Sequence, residues 1–294
     1  MFFSDNFFKW FYFTLLIILF GSAFILIEIS LKSFSPVIIA ISRVTIAFIV
    51  LFIYSLYKNY NFKFVIENFF LLFILALSGT TIPFLFISWA QLTINSSETG
   101  ILIGFMPIFT IIGSHYFFKY ESITPRKLFG FILGFIGLLI LLFNNEEAIN
   151  IYDNLIAKIL VIIASLFYAL NALLIKKASN IDVIPLAASV MLISSIQLLT
   201  ILIFTNSTSM FNSEIYTDSI IALLVMALLS TALATVVYYK IIQNYGANFM
   251  SLVNYPIPIF AFFAGVIFLS EKFNLYSVLS LLLVIISIYI SQRK

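Results

Sequence analysis

The chain has no cysteine, a single histidine, and few charges: 15 basic and 12 acidic residues make up 9% of its 294 positions. Without cysteine there is no disulfide framework, thiol nucleophile or cysteine metal site. With His115 as the only imidazole, a histidine-built metal centre is excluded too. No HExxH, GxSxG or phosphate-cradling glycine loop occurs. Asp5, Asp153, Asp182 and Asp218 fall at or beyond the ends of the apolar runs, so they form no intramembrane aspartate pair. The basic residues are scattered rather than clustered, which argues against nucleic acid as a partner. These absences predict neither an enzyme nor a bound cofactor or metal.

What is present is hydrocarbon. Hydrophobic residues make up 63% of the chain and the mean hydropathy is +1.17, against about 45–50% apolar residues in soluble domains. Such a chain cannot cover its own surface in water, and the lipid bilayer is its solvent. About 20 apolar residues cross a bilayer as a helix. On that measure the sequence predicts an all-α membrane protein of ten spans: 9–31, 36–57, 68–92, 97–118, 126–144, 154–176, 184–205, 218–242, 246–269 and 275–291. The first run lacks a small-residue cleavage site, so it reads as a retained helix. With a cytoplasmic N-terminus, eleven lysines and arginines flank the inner ends, and only Lys32, Lys158 and Lys272 the outer ends. The positive-inside rule then puts both termini in the cytoplasm.

Two phrases echo one another. "FMPIFTIIGSHYFFKYE" (105–121) and "YPIPIFAFFAGVIFLSE" (255–271) both carry proline early and end on glutamate. A shift of 150 brings Glu121 onto Glu271, Gly130 onto Ser280, Gly137 onto Ser287, Thr81 onto Thr231 and Thr80 onto Ser230. Five spans per copy, an odd number, would place the copies in opposite orientations. Inverted repeats of this kind belong to secondary transporters that work by alternating access.

In these residues the chain resembles the EamA-type proteins of the drug/metabolite transporter superfamily. "FGSAF" (20–24), then Pro36, Arg43 and Ala47, then Pro107, Glu121, Gly130 and Gly137 follow the family's order, and the second half repeats the proline and glutamate. Phe20 stands where the family usually has tryptophan, and Ser280 and Ser287 where it often has glycine. The resemblance implies two five-helix repeats, 1–145 and an inverted 152–294. It also implies that helices 1–4 and 6–9 surround a cavity, with helices 5 and 10 at the periphery. The activity it implies is efflux of amino acids or other small metabolites across the plasma membrane, the cell inner membrane in a bacterium. A channel-like or structural membrane subunit is the alternative.

Several polar residues inside the spans are candidates for contact with such a solute. Thr81, Ser88 and Gln91 share a face of the third span, and Thr231, Thr235 and Tyr238 a face of the eighth. They either line a cavity or bond helix to helix. Trp89, Tyr168, Asn171, Asn254 and Tyr255 add aromatic rings and amides suited to an organic solute. Pro83, Pro107, Pro256 and Pro258 interrupt spans, either as cavity-lining hinges or as fixed kinks. Glycines 130, 134 and 137 offer a small-residue packing surface, with a homodimer contact as one use. His115 is either a proton acceptor or an interfacial polar residue. Glu28 and Arg43 lie at similar depth in the outer half, and a pair between them is expected, because an arginine at that depth needs an acceptor.

Overall fold

A computed structural model of the chain describes residues 5–94, 96–118, 124–143, 155–204, 214–260 and 275–292. Glu121, Glu271, Lys119, Lys272 and the 144–153 connection lie outside them. The described residues are helical, with no strand apart from one isolated bridge residue. Seven helices among them are long and apolar enough to cross a membrane. These are α1 (Asp5–Leu31), α2 (Pro36–Tyr57), α3 (Phe69–Ala90), α4 (Thr99–Tyr116), and, past the middle of the chain, α6 (Leu155–Ala178), α7 (Val183–Phe204) and α8 (Thr217–Tyr245). Between the two groups lies α5 (Pro125–Phe143). A broken helical stretch, α9 (247–260), and α10 (Leu275–Gln292) follow.

Hydrocarbon cannot bond an open backbone, so apolar runs close their hydrogen bonds within a helix. Large side chains such as Ile53, Phe70 and Ile196 stand exposed on the helices, a surface fit for lipid. The protein is a multi-pass membrane protein.

Two helices carry an interruption where the chain is wound more widely. In α3 a π-helical segment covers Leu77–Thr81, and in α8 one covers Met226–Leu233. The first precedes Pro83, whose ring denies the Gly79 carbonyl its helical partner and displaces it. An inserted residue relieves that clash. In α8, which has no proline there, the Thr231 hydroxyl reaches back five residues to the Met226 carbonyl, at 2.9 Å. Two further helices break before a proline. The α4 helix turns at Gly104 and Phe105 before Pro107, and α9 tightens to a 3-10 turn at Leu252–Asn254 before Pro256.

Helix α2 packs along α7, and there Thr45 Oγ1 donates to Ser195 Oγ at 3.3 Å. Helices α5 and α10 pair with one another. A Cβ on Gly134 would come within 2.6 Å of Ser287 Oγ and of the Tyr255 ring. The central glycine of the 130–137 stretch therefore meets α9 and α10 of its own chain. One end of the bundle joins Lys240 to the Tyr12 hydroxyl (2.8 Å), Lys176 to the Gln243 carbonyl (3.1 Å) and Lys9 to the face of Phe249. At the other end, the Tyr216 amide donates to Ser33 and the Ser219 hydroxyl to the Ile29 carbonyl.

Candidate functional site

Midway along the bundle the interrupted stretches enclose a cavity of about 80 Å³. Its walls come from both groups of helices. Phe20, Phe24 and Ile27 of α1, Phe84 and Ile87 of α3, and Tyr239 and Ile257 make them largely apolar. Gly79 and Thr80 come from the α3 π segment and Ser230 from that of α8. Ile103 and Met106 flank the break in α4, and Asn254 and Ile257 the break in α9.

Five of the eleven polar and aromatic residues singled out in the sequence line this cavity: Tyr168, Asn171, Thr235, Tyr238 and Asn254. Asn171 donates its amide to the Leu75 carbonyl (2.9 Å) and the Ser78 hydroxyl (3.3 Å). Asn254 donates to the Ser251 carbonyl and the Met106 sulfur, each at 3.0 Å. Each amide thus spends its N–H groups on the helices, and among the described residues its carbonyl oxygen has no donor. Among the described residues the buried Tyr238 hydroxyl has no hydrogen-bond partner.

The other six lie elsewhere. Thr81 donates to Gln197 on α7 at 2.6 Å, and Gln91 to the Phe24 carbonyl on α1 at 3.0 Å. Ser88 is buried and has no hydrogen-bond partner among the described residues. The 81/88/91 row therefore serves helix packing and not the cavity. The cavity row of α3 is Thr80, Phe84 and Ile87; Thr80 and Ile87 each precede Thr81 and Ser88 by one residue, about 100° around the helix. Thr231 sits behind the wall as the acceptor for Arg43. Tyr255 is fully buried and ties α9 to α5 through the Phe131 carbonyl, at 2.8 Å. Trp89 is half exposed, on a surface groove with Leu92, Leu155 and Leu160.

The expected Glu28–Arg43 pair is not formed. Glu28 is exposed, whereas Arg43 is buried and lines the cavity. The Arg43 Nε donates to Thr231 Oγ1 at 3.0 Å, and its guanidinium carbon lies 3.7 Å from the centre of the Phe84 ring. The acceptor that an arginine at this depth requires is a hydroxyl 188 residues away, with an aromatic face beside it. His115 is half-buried beside Tyr116 in a π segment at the end of α4, away from the cavity wall. Thr80 and Ser230 were visible in the sequence only as a matched pair at the 150-residue shift.

A helical membrane protein with an enclosed, mostly apolar cavity and a few convergent polar groups has the form of a solute-handling protein. Comparison with known families names the class: the EamA-like transporter family matches twice, at residues 8–143 and 155–292, and the chain belongs to that family. It is a transporter and not an enzyme. An uncharacterized transporter of Archaeoglobus fulgidus is 27% identical over 97% of this chain and 99% of its own length. The S-adenosylmethionine/S-adenosylhomocysteine transporter of Chlamydia muridarum is 26% identical over 86% of this chain and 81% of its own. A crystal structure superposes with a TM-score of 0.77 over 98% of this chain and 97% of that one, at 13% identity. That likeness concerns the fold.

Proposed function

We propose that the chain is a secondary carrier that exports amino acids or related small metabolites across the plasma membrane by alternating access. Its architecture is ten spans in two inverted repeats, 1–145 and 152–294, with both termini in the cytoplasm. The observation that carries this reading is that the wall of one cavity is built from matched interruptions in the two halves. The π segments overlap after a shift of 150, since 77–81 falls on 227–231. The breaks before Pro107 and Pro256 are offset by 149. Discontinuous helices at the midplane are where transporters bind their solutes.

A void of about 80 Å³ is well below the roughly 300–1,000 Å³ of small-molecule pockets. Admitting a metabolite therefore requires the helices to part. Hinges at the four interruptions allow that movement, because their backbone is already released from the regular ladder. The basic residues Lys9, Lys176 and Lys240 gather at one end, which supports a cytoplasmic assignment for it. The Chlamydia relative brings nucleoside-bearing amino acids into the range of solutes to test. Among the described residues no nucleotide-binding element occurs, so an ion gradient or exchange supplies the drive.

Counterflow in liposomes tests the proposal. Labelled amino acids, S-adenosylmethionine and other metabolites are offered to vesicles loaded with the unlabelled compound. A carrier gives saturable, trans-stimulated uptake of at least one of them. Unsaturable flux indicates a channel, and no flux for any compound a structural subunit.

A further inference from the structure

A guanidinium has five N–H donors, and the protein uses one of those on Arg43. Its Nε is held by Thr231 and one face lies on Phe84. Among the described residues the two terminal amino groups have no hydrogen-bond partner, although the side chain is 3% exposed and lines the cavity. Among the described residues no carboxylate lines that cavity. A buried cation without a counter-charge is costly, and the groups already fixed hold its plane without occupying its fork.

A second unpartnered group belongs to a residue of the same wall. Tyr238 lines the same cavity, and among the described residues its buried hydroxyl has no acceptor. Building a hydroxyl into an apolar wall and leaving it unbonded is unfavourable unless a ligand completes it.

We infer that Arg43 and Tyr238 form a receptor for the carboxylate of the transported solute, and that the carrier takes solutes bearing one carboxylate. This rests on the carrier reading above and assigns its charge selectivity. A carboxylate matches the guanidinium fork with two parallel hydrogen bonds. Among the described residues the cavity wall carries one cation, which balances one negative charge, so a phosphate dianion is left half-neutralised. The free carbonyl oxygens of Asn171 and Asn254 accept from N–H or O–H groups on the rest of the solute. Thr231 releases nothing when the solute binds, because Nε and the amino groups point to different partners.

The test is competition in the counterflow assay, with matched carboxylates and carboxamides as probes. These are L-phenylalanine against L-phenylalaninamide, L-methionine against L-methioninamide, and inorganic phosphate, each competing with the solute the wild-type protein carries. The expected result is a carried solute with a carboxylate, inhibited by a carboxylate probe at least about tenfold more strongly than by its carboxamide or by phosphate. Tyr238→Phe removes a hydroxyl with no partner among the described residues, so the fold is retained and KM rises about tenfold or more. Arg43→Gln raises KM further, and Arg43→Lys restores part of the loss. A carried solute with no anionic group, carboxamides that compete as well as acids, phosphate that competes best, or unchanged KM in a well-folded Tyr238→Phe protein each overturn the assignment while leaving the carrier intact. Absence of counterflow for every solute refutes the carrier itself, a distinct outcome.

Discussion

Thr45 of α2 and Ser195 of α7 stand 150 residues apart and share a hydrogen bond at 3.3 Å. The same shift relates Thr81 to Thr231 in the sequence. In an assembly with two-fold symmetry, a residue beside the axis meets its own counterpart. On the proposed inverted-repeat reading a pseudo-two-fold axis passes between the two helices, and the partners on either side are consistent with it. Helix α2 reaches the α8 π segment through Arg43 and Thr231. Correspondingly, α7 reaches the α3 π segment through Gln197 and Thr81, and through Ser194 and Thr80.

An axis at this pair predicts a cross-link. The chain lacks cysteine, so a Thr45→Cys, Ser195→Cys double variant has no competing thiols. Mild oxidation should join the two, seen as loss of maleimide labelling that a reductant reverses. Full labelling after oxidation contradicts the α2–α7 contact.

Close packing at Gly134 predicts a steric cost. Gly134→Ala sets a methyl group 2.6 Å from Ser287 Oγ and from the Tyr255 ring. Overpacking of this kind costs about 1–3 kcal/mol. Gly100→Ala meets nothing nearer than 3.8 Å and serves as the control. Thermal unfolding of the purified protein should show a lower midpoint for Gly134→Ala alone. Equal midpoints for the two variants contradict the α5–α10 packing.

The exposed position of Glu28 predicts that Glu28→Gln matches the wild type in yield and flux. Arg43→Gln strips Thr231 and the Phe84 face of their cation and should lower flux. A shared loss in both variants, measured side by side, restores a functional link between the two charges.

The register of α3 can be read with two neighbouring residues. Ile87 lines the cavity and Ser88 is buried against the helices. A small aqueous thiol reagent should modify an Ile87→Cys protein as the carrier opens and spare a Ser88→Cys protein. The reverse pattern returns the cavity to the 81/88/91 row.

Much of this was legible in the sequence, for identifiable reasons. Apolar runs bounded by charges mark helices because hydrocarbon leaves the backbone no other partner, and the shift of 150 foretold matched segments. Tyr168, Asn171, Thr235, Tyr238 and Asn254 were found as polar groups deep in apolar runs. The α3 face was missed because periodicity gives a row without saying which neighbour it meets. A row one residue away is equally helical, and here it is Thr80, Phe84 and Ile87 that turn inward. Depth alone pairs Arg43 with the nearest acid, whereas its acceptor comes from the other half of the chain. Trp89 looked like a cavity aromatic, but it lies at the bundle surface, which a membrane protein fills with aromatics as freely as its interior.

Opposite orientation of the two halves is the central claim, and side-specific labelling tests it most directly. Asn61 lies between α2 and α3, and Glu214 lies just before α8, the corresponding connection of the second half. Intact cells expressing Asn61→Cys or Glu214→Cys are treated with a membrane-impermeant maleimide before and after permeabilisation. Inverted repeats predict that Glu214→Cys is labelled on intact cells and Asn61→Cys only once the membrane is opened. Labelling of both positions from the same side contradicts the inversion.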